Sequence, residues 1–300
     1  MDGAWIDKLL LGRDRPEVSA RRFSGSREGM RTLALGDALI RLRLAGSGSV
    51  PIALIPDPPN LIEHYDALFD LLAPDFRVLC LELPGFGLSR PKAGFDFSLD
   101  AQTRVVEKAL RILDTGPCVV AFSCVAGQIG LKLACEQPDL VSHLALIQTP
   151  SWAEQIKWSR RVDPKRRIST PVLGQLLLAL GKRKVARGWY AIATPDAATA
   201  ERFDRVAREG FDRGAAYSLA SAFQKLSSEP DPRFGTLNQR ALVLWGMQDR
   251  THRRTEKRSA LAHLPNGTYL EFGEAGHFPE LEQPERFRDA LKAFLGMEAG

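Results

Sequence analysis

The chain has 300 residues, 44% of them hydrophobic, with a net charge of +5 and four cysteines. That is enough apolar material to bury a large core, as one enlarged domain or a domain with an insertion, and it excludes a mainly disordered chain. Cys80, Cys118, Cys124 and Cys135 form no CxxC pair and have no histidine at zinc-finger spacing, which argues against a disulfide scaffold or a structural zinc site.

The first thirty residues read as an N-terminal extension. They carry acids beside a short apolar block and lack a small-residue cleavage site, so no secretory signal is expected and the protein is read as cytoplasmic. The longest mostly apolar stretch, Thr115 to Leu131, is too short and too polar to span a bilayer, so no membrane span is expected. Strand-like runs follow at Ala38 to Leu44, Pro51 to Ile55, Phe76 to Leu83, Cys118 to Phe122, Val141 to Gln148, Ala241 to Trp245 and Thr268 to Phe272. Several, such as PIALI, HLALI and ALVLW, are continuous apolar runs, the pattern of strands covered on both faces. Helical spacing separates them at Asn60 to Leu72, Ser98 to Leu113, Val125 to Cys135, Arg253 to Leu264 and Pro284 to Leu295. This alternation predicts an α/β fold with a mostly parallel central sheet flanked by helices.

The alternation breaks once. Residues 151–238 show no strand pattern, only helix-like spacing punctuated by Pro and Gly, which predicts a helical lid or cap inserted in a core made of 31–150 and 239–300. That segment holds 16 Lys and Arg against 9 Asp and Glu, so it alone carries +7 and the rest of the chain −2.

Four pieces carry candidate chemistry: PIALIPDPPN followed by LPGFGLSRP, then AFSCVAGQIGLKLA, ALVLWGMQDR and EFGEAGHFPELEQP. In this order they resemble the α/β-hydrolase superfamily in its lid-bearing branch, over roughly Thr32 to Gly296, with cysteine in place of serine at the nucleophile position. The resemblance implies a cap after the sixth strand and a nucleophile on a sharp strand-to-helix turn, served by an acid and a histidine from later loops. Helix register puts Cys124 on that elbow, with Ser123 before it lining the pocket or packing beneath; Asp249 of WGxxD and His277 of GHFP complete the triad. The other histidines, His252 among them, are read as capping, solvent-facing or packing residues. Beside His277 and at a helix N-terminus, the Cys124 thiol is expected to have a lowered pKa.

Two departures bear on chemistry. The backbone N–H of Val125 can donate to an oxyanion, but the second donor expected of relatives falls on Pro58, which has no N–H. Asp57 stands beside it, either as a turn residue in a Pro-rich loop or as an acid or base facing the site. Phe122 occupies a position where relatives carry a small residue, and is expected to reshape the elbow or floor the pocket.

These features imply acyl transfer through Cys124, most simply hydrolysis or transfer of a thioester's acyl group. The alternatives are a lyase or cyclase using His277 with Asp57, and a catalytically silent hydrolase-fold binding protein. A small acyl substrate linked to coenzyme A or an acyl carrier protein would suit the basic cap, through Arg160, Arg161, Arg166 and Arg167. No nucleic-acid module, dinucleotide fingerprint or metal-ligand spacing is present, so no cofactor is expected.

Overall fold

The computed structural model describes residues 3–11 and 27–297. Helix α1 (Ala4–Leu11) falls within the expected extension; residues 1–2 and 12–26 of that extension lie outside the described residues. The main strands are β1 (Met30–Ala34), β2 (Ala38–Ala45), β3 (Val50–Ile55), β4 (Phe76–Leu81), β5 (Cys118–Ser123), β6 (Val141–Ile147), β7 (Arg240–Gly246) and β8 (Gly267–Phe272). They lie side by side in the order β1-β2-β4-β3-β5-β6-β7-β8. From β4 onward every neighbour is parallel, whereas β1 and β2 run antiparallel at one edge. All six residues of β5 are buried, as the continuous apolar run requires of a strand covered on both faces.

The flanking helices are α2 (Asp66–Leu72), α3 (Leu99–Ile112), α4 (Val125–Glu136) and, at the C-terminus, α9 (Pro279–Glu282) and α10 (Pro284–Leu295). Ser98 caps α3 as FSLD foretells: its hydroxyl accepts from the Ala101 N–H at 3.0 Å. Two expected helices are corrected. Residues 62–65 form a 3₁₀ turn before α2, and 253–264 form turns and a 3₁₀ segment at Ser259–His263. In that second stretch Ala260 is the only buried side chain of the 3₁₀ segment, too little apolar face to hold a full helix against the sheet.

Between β6 and β7 the chain forms α5 (Trp152–Val162), α6 (Leu173–Ala193), α7 (Ala197–Asp212) and α8 (Leu219–Ser228). The segment is not strand-free, as its sequence suggests: Ala216–Tyr217 pairs antiparallel with Phe86–Gly87 of the LPGFG loop. Two residues are too few to show a period-2 pattern. Gly87 has φ +53°, and a Cβ there would overlap the carboxylate of Glu82. Glu82 in turn accepts the Leu88 N–H at 2.7 Å and pairs with buried Arg41 at 3.0 Å, holding the loop in place.

Candidate active site

The chain crosses from β3 outward to β4 and then returns past β3 to β5. This reversal leaves a crevice at the carboxyl ends of β3 and β5, where open α/β sheets bind ligands. Asp57 stands two residues beyond β3, and Cys124 directly follows β5.

Cys124 adopts φ +51°, ψ −121°, a conformation that costs a non-glycine residue about 1–3 kcal/mol. Its surroundings enforce it. The Cys124 N–H donates to Ile147 O at 2.8 Å, and its carbonyl accepts from the Gly127 N–H at 3.1 Å and the Thr149 hydroxyl at 3.2 Å. A Cβ on Gly127 would overlap Thr149, which explains a small residue three positions into the turn. Helix α4 therefore starts immediately after the thiol, with its first N–H, that of Val125, within reach of the sulfur.

Ser123 does not line the cavity. It is 1% exposed, and its hydroxyl donates to Glu280 Oε1 at 2.8 Å beneath the elbow. Phe122 is also corrected: it is wholly buried and packs near Gly130 of α4, because β5 is covered on both faces and the residue two before the elbow still belongs to the sheet core. Of the two adjacent nucleophiles, Cys124 alone faces the cavity.

His277 and Asp249 come together from the loops after β8 and β7. His277 Nδ1 donates to Asp249 Oδ2 at 2.6 Å, and both side chains are fully buried. Asp249 also accepts from Gln148 Nε2 at 2.8 Å and from the Thr251 N–H at 2.8 Å. Burial alone would raise the Asp249 pKa, but His277, by its charge and its hydrogen bond, and then Thr251 hold it at about 2. The glycine of WGMQD is needed here, since a Cβ on Gly246 would overlap the Gly276 carbonyl oxygen of the histidine loop. The helical segment between β6 and β7 closes the other side: the His277 N–H donates to Ala193 O, the end of α6, at 2.8 Å.

Asp57 is no mere turn residue. Its Oδ2 lies 3.1 Å from His277 Nε2, so the imidazole stands between two carboxylates. Burial opposes charge on the ring, yet Asp249 first, then Cys124 and the hydrogen bonds, push the His277 pKa well above its ordinary value. Asp57 is raised by burial, against the pull of His277. The expected fall in the thiol pKa is overturned. Burial and then the Asp57 charge raise Cys124 to about 11, because His277 and the Val125 N–H compensate only in part.

Sequence reading missed three participants. Gln148, at φ +48° just beyond β6, orients Asp249 and accepts the Gly246 N–H at 2.7 Å; nothing in its local pattern marks it. Glu280 sits in the extended GHFP motif, whose recurrence around His277 was the available signal. His252 is not a solvent or capping residue but fully buried, 5.4 Å ring to ring from His277 and stacked on Trp158 at 5.0 Å. Together Cys124, His252 and His277 place one ligand atom each within 4.8 Å of one another, a metal-capable cluster that no sequence spacing announces. Of the other cysteines, Cys80 and Cys118 are buried, whereas Cys135 is exposed.

A cavity of about 260 Å³ opens onto this group. Asp57, Pro58, Cys124 and Val125 form its chemical end, while Trp158 of α5 and Trp189 of α6 are among its mostly apolar walls. Among its lining residues Gln102 and Glu229 supply further polar groups.

Glu280 leads to a prediction. Its Oε2 is buried without a partner, and burial raises its pKa to about 7 against the ordinary 4.5. The native state thus keeps a proton that the unfolded chain releases between about pH 4.5 and 7, so this group's stabilising contribution is complete below that window and lost above it. Glu280→Gln mimics the protonated form. It is expected to leave Tm unchanged at pH 4.5 and to raise it at pH 8 by roughly 3–6 °C, about 2–3 kcal/mol, in thermal melts across pH.

A family model described as the alpha/beta hydrolase fold matches residues 58–284. Among curated proteins, an uncharacterized hydrolase, YugF, of Bacillus subtilis is 23% identical over 230 residues, covering 75% of this chain and 82% of the relative. The dihydrolipoyllysine-residue acetyltransferase component of the acetoin cleaving system of Pseudomonas putida is 27% identical over 269 residues, 87% of this chain and 68% of its own length. Haloalkane dehalogenase 2 of Mycobacterium tuberculosis is 25% identical over 256 residues, covering 80% and 86%. Among solved structures, a thermophilic esterase from Thermogutta terrifontis aligns with TM-score 0.69 at 22% identity, over 89% of this chain and 98% of that one. A putative epoxide hydrolase from Pseudomonas aeruginosa aligns at 0.74 and 18%, over 89% and 95%. At such identities these structures share the fold. Among the described residues, no helix is long and apolar enough to cross a membrane.

Proposed function

Since the chain belongs to the α/β hydrolase fold family, we propose that it is a cysteine-dependent acyl-transfer enzyme acting on a thioester through Cys124, His277 and Asp249. One observation carries this reading: the Cys124 thiol sits on a positive-φ elbow against an imidazole whose Nδ1 is held by Asp249 at 2.6 Å. With the proton shared by His277 Nε2 and Asp57 resting on the carboxyl, the neutral imidazole removes the thiol proton as the sulfur attacks the carbonyl carbon, and Asp249 stabilises the imidazolium that forms. The carbonyl oxygen takes the negative charge; the C–S bond to the leaving thiol then breaks, and His277 returns the proton to that thiol. Water or another acceptor next attacks the acyl-cysteine, with His277 again as base.

The ground state favours the neutral thiol, and one proton is shared between His277 Nε2 and Asp57: burial draws it to the carboxyl and the Asp249 charge draws it to the ring. A thioester suits such a site, because sulfur-for-sulfur exchange is nearly isoenergetic. The Val125 N–H supplies one oxyanion donor. Asp57, whose burial favours the protonated carboxyl, is the group placed to donate in lieu of the N–H that Pro58 lacks. The apolar cavity wall suits an acyl chain, and exposed Arg166 and Arg167 suit the phosphates of a coenzyme A or carrier-bound thioester.

The test is intact-mass spectrometry after brief exposure to an acyl thioester, with peptide mapping. One acyl group on Cys124 is expected; acylation confined to another site, such as exposed Cys135, overturns the reading. A second reading has one specific support, the 3.1 Å contact of His277 Nε2 with Asp57. That pair could move protons in a lyase or cyclase reaction without an acyl-enzyme.

A further inference from the structure

His252 Nδ1 is hydrogen-bonded to Thr255 Oγ1 at 3.0 Å, whereas its Nε2 is fully buried and has no partner. A buried orphan nitrogen is costly and calls for an explanation. The neighbouring His277 likewise has Nδ1 fixed, by Asp249, while its Nε2 meets Asp57 Oδ2 at 3.1 Å at the reactive end of the cavity. Such outer hydrogen bonds are what orient metal-ligating imidazoles. The Cys124 sulfur completes a set of three ligand atoms within 4.8 Å, and the Asp57 carboxylate adjoins it through His277.

We propose that Cys124, His252 and His277 form a binding site for a thiophilic, borderline-soft metal ion of the zinc class, and that its occupancy reversibly silences the Cys124 nucleophile. The ligand chemistry selects the ion: one thiolate and two imidazoles suit Zn²⁺, whereas Mg²⁺ and Ca²⁺ demand oxygen. Three protein ligands leave the fourth position to the cavity, which is also the entry path because Cys124 lines it. Binding forms an S–metal bond and two N–metal bonds. The thiol proton and the second proton of His277 leave to solvent, and no electron is transferred. The side chains converge by small rotations, since tetrahedral ligation needs them somewhat closer than 4.8 Å. This proposal does not rest on the acyl-transfer reading, because it concerns the protein without substrate.

The experiment uses the whole chain, reduced and freed of metal with EDTA. Titration with Co²⁺ is expected to give one ion per chain with a thiolate-to-cobalt charge-transfer band, displaced by Zn²⁺. The band should vanish in Cys124→Ser, and His252→Asn should weaken Zn²⁺ by more than the roughly 10–100-fold that losing an outer-shell partner costs. In wild type, stoichiometric Zn²⁺ should slow iodoacetamide labelling of Cys124 more than tenfold, reversibly with EDTA, while exposed Cys135 labels at an unchanged rate. That readout needs no variant to fold. A cobalt spectrum without the thiolate band, a band that survives Cys124→Ser, Zn²⁺ affinity unchanged in His252→Asn, or Cys124 labelling indifferent to Zn²⁺ would each overturn the proposal.

Discussion

Cys124→Ala is expected to lower turnover of an acyl thioester by about 10⁴-fold or more, with the fold intact by circular dichroism. Nucleophile, base and acid act as a unit, so losing one member forfeits nearly the whole covalent route. Whatever activity remains would come from binding and from the oxyanion donors, the Val125 N–H and Asp57. The side chain is 1% exposed beside Trp158 and Phe223, so a modest loss of Tm should accompany the change without explaining the rate. Steady-state kinetics on wild type and variant decide the matter. Full retention of turnover would remove the acyl-enzyme and favour the His277 and Asp57 reading.

The second large effect falls on Asp57, where two measurements should move in opposite directions. In the free enzyme, when the shared proton rests on His277, the Asp57 charge is among the causes that raise the Cys124 pKa to about 11, so both Asp57→Ala and Asp57→Asn should move the pH profile of Cys124 alkylation downward. Near pH 8, below that pKa, moving the profile down by about one pH unit makes the thiolate fraction about tenfold larger. Turnover should nonetheless fall. Asp57→Ala removes the side chain placed to replace the missing Pro58 donor and is expected to cost about 10²–10³ in kcat, whereas Asp57→Asn keeps an N–H donor and should recover part of it. A thiol that becomes more reactive in an enzyme that becomes slower is the signature of a donor role. If alkylation and turnover are both unchanged, Asp57 is a turn residue after all.

The reach of the sequence is clear at particular residues. Continuous apolar runs marked the central strands β3, β5, β6 and β7, because a strand covered on both faces is apolar along most of its length. The edge strand Met30–Ala34 escaped, since none of its residues is buried and it has no such run. Helix register chose Cys124 over Ser123, and the positive φ at Cys124 agrees. The same local logic failed for Phe122, whose position two before the elbow remains part of the β5 core.

What could not be read was electrostatic and long-range. The thiol looked as though it should be acidified by its imidazole and helix terminus, and both do act in that direction, yet burial and the Asp57 carboxylate outweigh them. Neither force has a local signature in AFSCVAG. Gln148, His252 and Glu280 take their roles only because β6, the loop after β7 and the C-terminal turn end beside one another.

Residue periodicity, and small residues where backbones meet, were enough to fix the alternation of strands and helices, the helical segment between β6 and β7, and the chain order of thiol, acid and histidine. Only the tertiary structure decided that Asp57 faces His277, that the thiol holds its proton, and that His252 stands within reach of both Cys124 and His277. Charge states and ligand geometry depend on burial and on distances between groups up to 220 residues apart, and these exist only once the sheet has assembled.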